Sequence, residues 1–220
     1  SDLGMHTFSN GTNLVVLTVR DVNGNSSTCN SAVTVQDNVA PVAICQDITV
    51  QLDATGNGST TAALVNNGSS DNCAIASLAL SQTAFVCSEV GANTETLTVT
   101  DVNGNVSTCT TVVTVEDNIN PVAICQNITV QLDATGNATI TPAQVNNGSS
   151  DACGIASLAL DITTFNCANV NGNTVTLTVT DVNNNVSTCT AQVTIEDTIN
   201  PIALCQNVTV QLDATGNGST

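Results

Sequence analysis

Basic and aromatic side chains are almost missing from this sequence. Among 220 residues there is no lysine, tryptophan or tyrosine, and Arg20 is the one member of the Lys and Arg class, against 18 Asp and Glu residues. The formal net charge is −17 at pH 7. Proteins bind nucleic acids by placing Lys and Arg beside the phosphates. The composition therefore excludes nucleic acid as a partner and favours divalent cations.

The bases that catalysis needs are equally scarce. His6 is the only histidine, and residues 41–200 contain neither histidine nor lysine. A serine or threonine nucleophile needs such a base beside it. We therefore expect that the chain is not an enzyme, and we interpret His6 as a surface residue.

The shortage of aromatic residues also limits the core. Only Phe8, Phe85 and Phe165 are aromatic, so a core must be built from Val, Ile, Leu and Ala and needs covalent support. Ten cysteines without a CxxC motif, beside one histidine, favour disulfides over zinc. Disulfides persist outside the cytoplasm, which predicts an extracellular or cell-surface protein.

Long apolar runs are missing as well. No stretch of 18 apolar residues occurs, which predicts no membrane span, and the opening residues SDLGMHTF lack the pattern of a secretion signal. The segment is therefore expected to be extracellular and to contain no membrane span.

What the sequence does contain is a repeat of 80 residues. Residues 41–120 and 121–200 align without a gap and share 58 of 80 positions. Residues 1–40 match the second half of this repeat, and residues 201–220 match its first quarter. We therefore predict two complete modules flanked by a truncated module and by the first strand of a further one, as in a stretch of a longer array.

Within a repeat the local signals are those of β-strands. The segments TETLTVTD and TVTLTVTD alternate Thr with apolar residues, which is typical of a strand with one wet and one dry face. Asn103-Gly104 predicts a two-residue hairpin turn, and Asn183-Asn184 can replace it because Asn tolerates positive φ. Six or seven short strands in 80 residues predict an all-β fold of tandem immunoglobulin-like β-sandwich modules in an extended array.

The second repeat and the linker before it contain an acidic residue, a proline, a hydrophobic-x-Cys start, a D-x-x-x-N turn and a final strand that opens with T-C and ends with Asp. The residues of this pattern are Asp117, Pro121, Ile124, Cys125, Asp181, Asn185, Cys189, Val193, Ile195 and Asp197. The pattern resembles the hyalin repeat (HYR), although this sequence lacks a second proline before Pro121, a proline after Cys125, and the usual Tyr or Trp. The resemblance implies immunoglobulin-like modules of an adhesive or structural kind, as in large secreted bacterial surface adhesins and stalks.

An immunoglobulin-like sandwich suggests a disulfide pattern. Its first and last strands run side by side in the same direction, which predicts Cys45 bonded to Cys109 and Cys125 bonded to Cys189. A hairpin about Ser81 would return Cys73 to Cys87, and Cys153 would follow with Cys167. Cys29 and Cys205 would then bond to flanking modules or to other chains. Sequence alone cannot fix the disulfide connectivity. A competing scheme therefore stays open, in which cysteines pair across each linker, Cys29 with Cys45 and so on.

The linker EDNINP predicts calcium. It is weakly similar to the calcium linker of cadherins, and its carboxylates and amides would meet the hairpin turn and the SSDAC segment of the next module. Calcium takes six to eight oxygen ligands. The alternative is that Asp and Asn only form turns on an acidic surface. The predicted ligands are Asp37, Asn38, Asp101, Asn103, Asn105, Glu116, Asp117, Asn118, Asp151, Asp181, Asn183, Asn185, Glu196 and Asp197.

These features predict an extracellular structural or adhesive filament or stalk segment whose partners are neighbouring modules or copies of itself. One alternative is a set of modules that bind surface glycans or matrix, because differences between the repeats cluster at 81–95. Another is a passive spacer of a larger secreted enzyme. A further possibility is chain exchange, in which residues 201–220 of one copy complete residues 1–40 of another.

Overall fold

A computed structural model describes residues 7–218. The chain divides into two compact units between Ile119 and Asn120. The first unit contains a hairpin formed by strands β1 and β2, and all of the first module (residues 41–120) except Asn120. The second unit contains the second module (residues 121–200) and residues 201–218. Strands β1 to β8 and helix α1 of the first unit are Gly11–Arg20, Ser26–Val35, Ile48–Gln51, Asn57–Ser59, Ile75–Leu80, Ala84–Val86, Gly91–Asp101 and Val106–Glu116, with α1 at Ala62–Val65.

The second module repeats the elements of the first. Its helix is a single turn, as is that of the first module, and a short 3₁₀ turn follows the fourth strand in each. Such one-turn helices carry no periodic signal in the sequence. Its elements are β9 (Ile128–Gln131), β10 (Asn137–Thr139), α2 (Pro142–Val145), β11 (Ile155–Leu160), β12 (Thr164–Asn166), β13 (Asn171–Asp181) and β14 (Val186–Glu196).

Each module is an immunoglobulin-like sandwich, which confirms the predicted fold class. One sheet has the strand order β3-β8-β7-β5, and the second strand pair is β4-β6. The first strand of the larger sheet, β3, runs parallel to the last, β8, whereas β7 is antiparallel to both β8 and β5. The second module has the orders β11-β13-β14-β9 and β10-β12. A parallel pairing of first and last strands is a feature of the immunoglobulin topology.

The alternating sequence accounts for the two long strands of each module. In β13, Val175, Leu177 and Val179 have no exposed surface, and the threonines between them face outward. Burying a Val or Leu side chain in this way stabilises the fold by roughly 1.5–3 kcal/mol. The buried apolar face of the larger sheet packs against the smaller sheet, which contributes Phe165 to the core. The side chain of Phe165 is 3% exposed.

In each module one disulfide joins the start of the module to its last strand, as predicted. Cys45 bonds to Cys109 and Cys125 bonds to Cys189, with Cα to Cα distances of 5.9 and 5.8 Å. The competing scheme that joins Cys29 to Cys45 across a linker is therefore wrong. Each disulfide thus connects the N-terminal segment of a module to its C-terminal strand.

The predicted Cys73–Cys87 and Cys153–Cys167 bridges are wrong, because Cys73 and Cys167 are free thiols. The prediction assumed that the segment about Ser81 folds back as a hairpin. Instead β5 pairs with β7 in the larger sheet and β6 pairs with β4 in the smaller one. The segment between them crosses from one sheet to the other and separates the two cysteines.

The hairpin between β7 and β8 has a three-residue loop rather than the predicted two-residue turn. Asp101 N donates to Asn105 O over 3.0 Å, and Gly104 N donates to Asp101 O over 3.3 Å. Gly104 has φ of +90°, and Asn184 at the equivalent place in the second module has φ of +73°. The third loop residue must be left-handed, and both Gly and Asn can adopt this conformation.

Two segments of the described chain resemble parts of a module in sequence. Strands β1 and β2 form a two-stranded hairpin, and residues 201–218 form no strand and are exposed throughout. Cys29 and Cys205 in these segments are exposed free thiols, so their predicted bonds to other modules or chains stay predictions. No helix of the described chain is long and apolar enough to cross a membrane.

Candidate functional site

The hairpin turn of the first module meets the linker that precedes it. Asn105 Nδ2 donates to the main-chain oxygens of Asp37 and Val39, over 3.0 and 3.3 Å. The same amide donates to Asp101 Oδ2 over 2.7 Å. The predicted position of this turn, facing the preceding linker, is therefore correct for Asn105. The amide nitrogen of Asn105 faces the linker, and the role of Asn105 as a metal ligand stays a prediction.

Asp101 organises this turn. Its side chain is 1% exposed, and Oδ1 accepts from the main-chain nitrogens of Asn103 and Asn105, each over 2.8 Å. Burial alone would raise the pKa of Asp101, but the hydrogen bonds from Asn105, Asn103 and Gly104 outweigh burial and lower the pKa. Asp101 is therefore an ionised acceptor for the turn.

The second module builds the same turn. Asp181 has no exposed surface and accepts from the main-chain nitrogens of Asn183 and Asn185, each over 2.8 Å. Asn185 Nδ2 donates to Asp181 Oδ2 over 2.8 Å. The two modules thus use the same Asp and Asn positions to form this turn, and the role of these residues as calcium ligands stays a prediction.

A second group of side chains lies beside the linker in the first unit. One ligand atom from each of Asp37, Asp71 and Cys73 lies within 4.8 Å of the other two. Asp71 Oδ2 accepts from Cys73 N over 2.7 Å, which holds the carboxylate in place. A groove of about 470 Å³, lined in part by Asp37, Asn38, Asn72 and Cys73, opens beside the group.

The neighbouring carboxylates change the pKa of the Cys73 thiol. Its interaction with the Asp37 carboxylate, in which the thiol is the donor, raises the pKa of Cys73, and burial and the charges of Asp37, Asp71 and Asp101 raise it further. A protonated thiol is a poor ligand for calcium, which prefers oxygen. Within this group, the two carboxylates are the groups suited to a calcium ion.

Several predicted ligands take part in other contacts. Glu116 Oε2 accepts from Gln51 Nε2 over 2.7 Å, and Asn118 Nδ2 donates to Gln51 Oε1 over 2.7 Å. Glu196 accepts likewise from Gln131 over 2.5 Å. The Gln51–Glu116 and Gln131–Glu196 hydrogen bonds each join the first strand of a module to its last strand. The linker residues Asp37, Asp117 and Asp197 each accept a hydrogen bond from the main-chain nitrogen two residues later, over 3.0 Å, and Asp151 accepts from Cys153 N over 2.8 Å.

Sequence reasoning missed Asp71 and assigned Cys73 to a disulfide instead of to this group. The signal for Asp71 was present, because the segment SSDNC of the first module is the counterpart of SSDAC, which contains the predicted ligand Asp151. His6 lies outside the described residues.

The cluster of differences at 81–95 has a structural component. In the first module Ser81 Oγ donates to Glu95, which is 7% exposed, and accepts from Thr96 N over 2.8 Å. In the second module Asp161 Oδ1 accepts from Thr176 N over 2.8 Å, and valine replaces the glutamate. An Asp beside a buried Glu would place two negative charges together, so the two positions change as a pair.

Comparison with known proteins assigns no family: no protein-family model and no curated protein matches the chain. Similar solved structures include the Protocadherin gammaB7 EC3-6 cis-dimer (15% identity, TM-score 0.35, 84% of this chain and 58% of that chain). Mouse clustered PcdhgC3 EC1-3 has 15% identity, a TM-score of 0.34 and coverage of 87% and 78%. Human Protocadherin-24 EC1-2 has 10% identity, a TM-score of 0.38 and coverage of 73% and 100%. The chain thus spans 58% of the first of these chains, and the similarities define neither a family nor a function.

Proposed function

We propose that this chain is a segment of an extracellular structural or adhesive filament or stalk, without catalytic activity. The observation that supports this proposal is the position of the disulfides. Cys45 and Cys109 connect the point where the chain enters the first module to the strand by which it leaves, and Cys125 and Cys189 do the same in the second. When the chain is pulled, the disulfide carries the force, and the residues between the two bonded cysteines do not.

This arrangement suits a protein that must keep its length under tension. Each bridge spans a sequence separation of 64 residues, so a module that loses its fold under load still cannot extend those residues. The HYR-like sequence, the repeated linker and the persistence of disulfides outside the cytoplasm agree with this function. Recognition of surface glycans stays a prediction, because part of the variation at 81–95 is accounted for by packing.

Stretching single chains in a force spectrometer tests this proposal. We expect each module to gain roughly 210–230 Å of extensible length after reduction, because 64 residues are released at about 3.3–3.6 Å each. The oxidised chain should show no step of that size. Alkylating the free thiols without reduction is the control and should leave the extension unchanged. Steps of full length from the oxidised chain would refute the proposed role of the bridges.

We also propose that calcium binds beside the linker of the first module, through Asp37 and Asp71. Two carboxylates held close together repel each other, and a divalent cation between them removes this cost. Two side chains supply only part of the six to eight oxygens that calcium takes, so water and main-chain oxygens would complete the site. A site of this kind belongs with the weak sites of extracellular modules, which have Kd values of about 10⁻⁴–10⁻³ M.

Calorimetric titration of the intact chain with calcium tests this site. We expect Asp71→Asn to remove one bound ion and to reduce the rise in Tm that calcium causes. Glu116→Gln is the matched control, because the structure directs Glu116 to Gln51 instead of to this group. If both variants lose calcium binding equally, or if the unmodified chain binds no calcium, the proposed site is refuted. The Asp and Asn residues of the linker would then serve only in turn formation.

A further inference from the structure

Each module contains one turn with the sequence Asn-Asn-Gly-Ser-Ser. In the first module this turn is residues 66–70. Asn67 is exposed and lies outside the strands, and Gly68 after it has a left-handed conformation with φ of +82°. A Cβ added at Gly68 would meet no atom within 4 Å, so open space surrounds the tip of the turn. The second module repeats these features at Asn147 and Gly148, where φ is +85°.

Two groups at the tip of this turn make no hydrogen bond. Within the described residues, neither the side chain of Asn67 nor the main-chain nitrogen of Gly68 has a hydrogen-bond partner, and the equivalent groups of the second module are alike. The turn is held at its base instead, since Asn66 Oδ1 accepts from Ser69 N over 3.0 Å. The side chain and the following nitrogen are therefore both free to move.

An asparagine followed by a glycine can react with its own main chain. The glycine nitrogen attacks the asparagine Cγ, and a nitrogen–carbon bond forms. The Cγ–Nδ2 bond then breaks, and the amide nitrogen leaves as ammonia with the proton of the glycine nitrogen. Water opens the resulting cyclic imide at either carbonyl and gives Asp, or isoAsp, whose main chain is one methylene longer. Water is the only co-reactant, and glycine favours the attack because it has no Cβ in the way.

The Asn103-Gly104 pair in the β7–β8 loop is held differently. Asn103 N donates to Asp101 Oδ1 over 2.8 Å, and Gly104 N donates to Asp101 O over 3.3 Å. The nitrogen that would attack is thus engaged in a hydrogen bond. Attack at this pair requires the loop to give up contacts that stabilise it.

The remaining two Asn-Gly pairs of the modules lie in strands. Asn57 and Gly58 belong to β4, which pairs with β6, and Asn57 Nδ2 also donates to Thr55 Oγ1 over 2.9 Å. Asn171 and Gly172 belong to β13, which pairs with β14. Strand pairing restricts the main-chain rotation that the attack requires, because the strand must open first.

The Asn-Asn-Gly-Ser-Ser turn also anchors the segment that leads into the disulfide of its module. Asn67 N donates to Ile44 O, and Ile44 N donates to Ser69 Oγ, each over 2.9 Å. The next residue, Cys45, is bonded to Cys109. The extra methylene of isoAsp would lie along the chain between the two contacts to Ile44, so both contacts cannot keep their geometry.

We propose that Asn67 and Asn147 are sites of self-modification, at which the chain slowly converts asparagine to Asp and isoAsp through the imide formed with Gly68 and Gly148. The conversion adds one negative charge to each module and, as isoAsp, lengthens the turn. It loosens the segment before the first disulfide cysteine while the disulfide still holds that segment in place. An extracellular chain would thus carry a mark of its age in every module, whether or not the chain is part of a filament.

Ageing the full chain at neutral pH tests this proposal. Samples taken over several weeks are reduced and digested with pepsin, and fragmentation in a mass spectrometer separates isoAsp from Asp. In the folded chain we expect Asn67 and Asn147 to react faster than Asn57, Asn103 and Asn171 by a factor of about ten or more. In denaturant the five should react at similar rates, because the fold no longer protects any of them. Equal rates in the folded chain, or formation of Asp without isoAsp, would overturn the proposal.

Gly68→Asn tests the imide route at one site. Asn184 has φ of +73°, so the chain accepts asparagine in a left-handed conformation and the turn should keep its shape. The added side chain hinders the attack, and conversion at Asn67 should slow by a factor of about ten. Asn147 of the same molecule is the internal reference and should convert at its normal rate. An unchanged rate at Asn67 would contradict the imide route.

Hydrogen exchange tests the effect on the module. Exchange of peptides that contain Ile44 should be faster in the aged chain than in the fresh one. Asn67→Asp is the matched control, because it adds the charge without lengthening the main chain, and it should leave this exchange unchanged. Unchanged exchange in the aged chain, or equal acceleration by Asn67→Asp, would refute the proposed effect of the longer turn. None of these results bears on the force measurement above.

Discussion

Replacing Cys125 and Cys189 together by alanine will lower the free energy of unfolding of the second module by about 4 kcal/mol. The bridge closes a loop with a sequence separation of 64 residues, and opening it restores conformational entropy to the unfolded chain. Small domains are stable by only about 5–15 kcal/mol in total. A core without Trp or Tyr leaves little surplus to absorb this loss.

Calorimetry and hydrogen exchange measure this change module by module. We expect the Tm of the second module to fall by roughly 15–30 °C, on the scale of 4–8 °C for each kcal/mol in a domain of this size. Exchange should accelerate in the peptides of β13 and β14. The first module, with its own Cys45–Cys109 bond, is an internal reference.

A second variant controls for the loss of sulfur atoms. Cys167→Ser changes an exposed free thiol of the same module and should leave its Tm within about 2 °C. An unchanged Tm in the Cys125 and Cys189 double variant would mean that the noncovalent core is sufficient. The proposed function would then lose its main support.

The predictable parts of this fold are those with a local signal or a repeated one. The alternation in TVTLTVTD was enough to identify β13 and to place Val175, Leu177 and Val179 on its buried face. The immunoglobulin order of strands then favoured the two disulfides that the structure shows, because it places the first and last strands side by side. Here the global pattern and the local pattern agree, as they do in sequences that specify one fold.

The unpredictable parts depend on partners distant in sequence. Strand β6 has three residues, and nothing local shows that it pairs with β4 rather than with β5. The role of Glu116 was hidden for the same reason, since its partner Gln51 lies 65 residues away. For Asn105 the sequence indicated the position, but only the tertiary structure shows that its amide nitrogen faces the linker.

Replacing Phe165 by alanine will lower the free energy of unfolding of the second module by about 3–5 kcal/mol. Phe165 is 3% exposed and lies opposite Ala138 in the smaller sheet, against a core that includes Val145 and Leu177. Truncation removes buried apolar surface and leaves a cavity that small neighbours fill only in part. Because Phe165 is the only aromatic residue among residues 121–200, no other ring can take its place. Hydrogen exchange in β13 measures the loss.

The chain provides its own control for this substitution. Phe8→Ala removes the same atoms from a side chain that is 42% exposed, and it should change stability by no more than about 0.5 kcal/mol. Equal effects of Phe8→Ala and Phe165→Ala would contradict the sandwich core described here. If Phe165→Ala destabilises only the second module, each module has a core of its own, and stability along such an array is set module by module. A tether built this way can lose the fold of one module while the Cys125–Cys189 bond still limits its length.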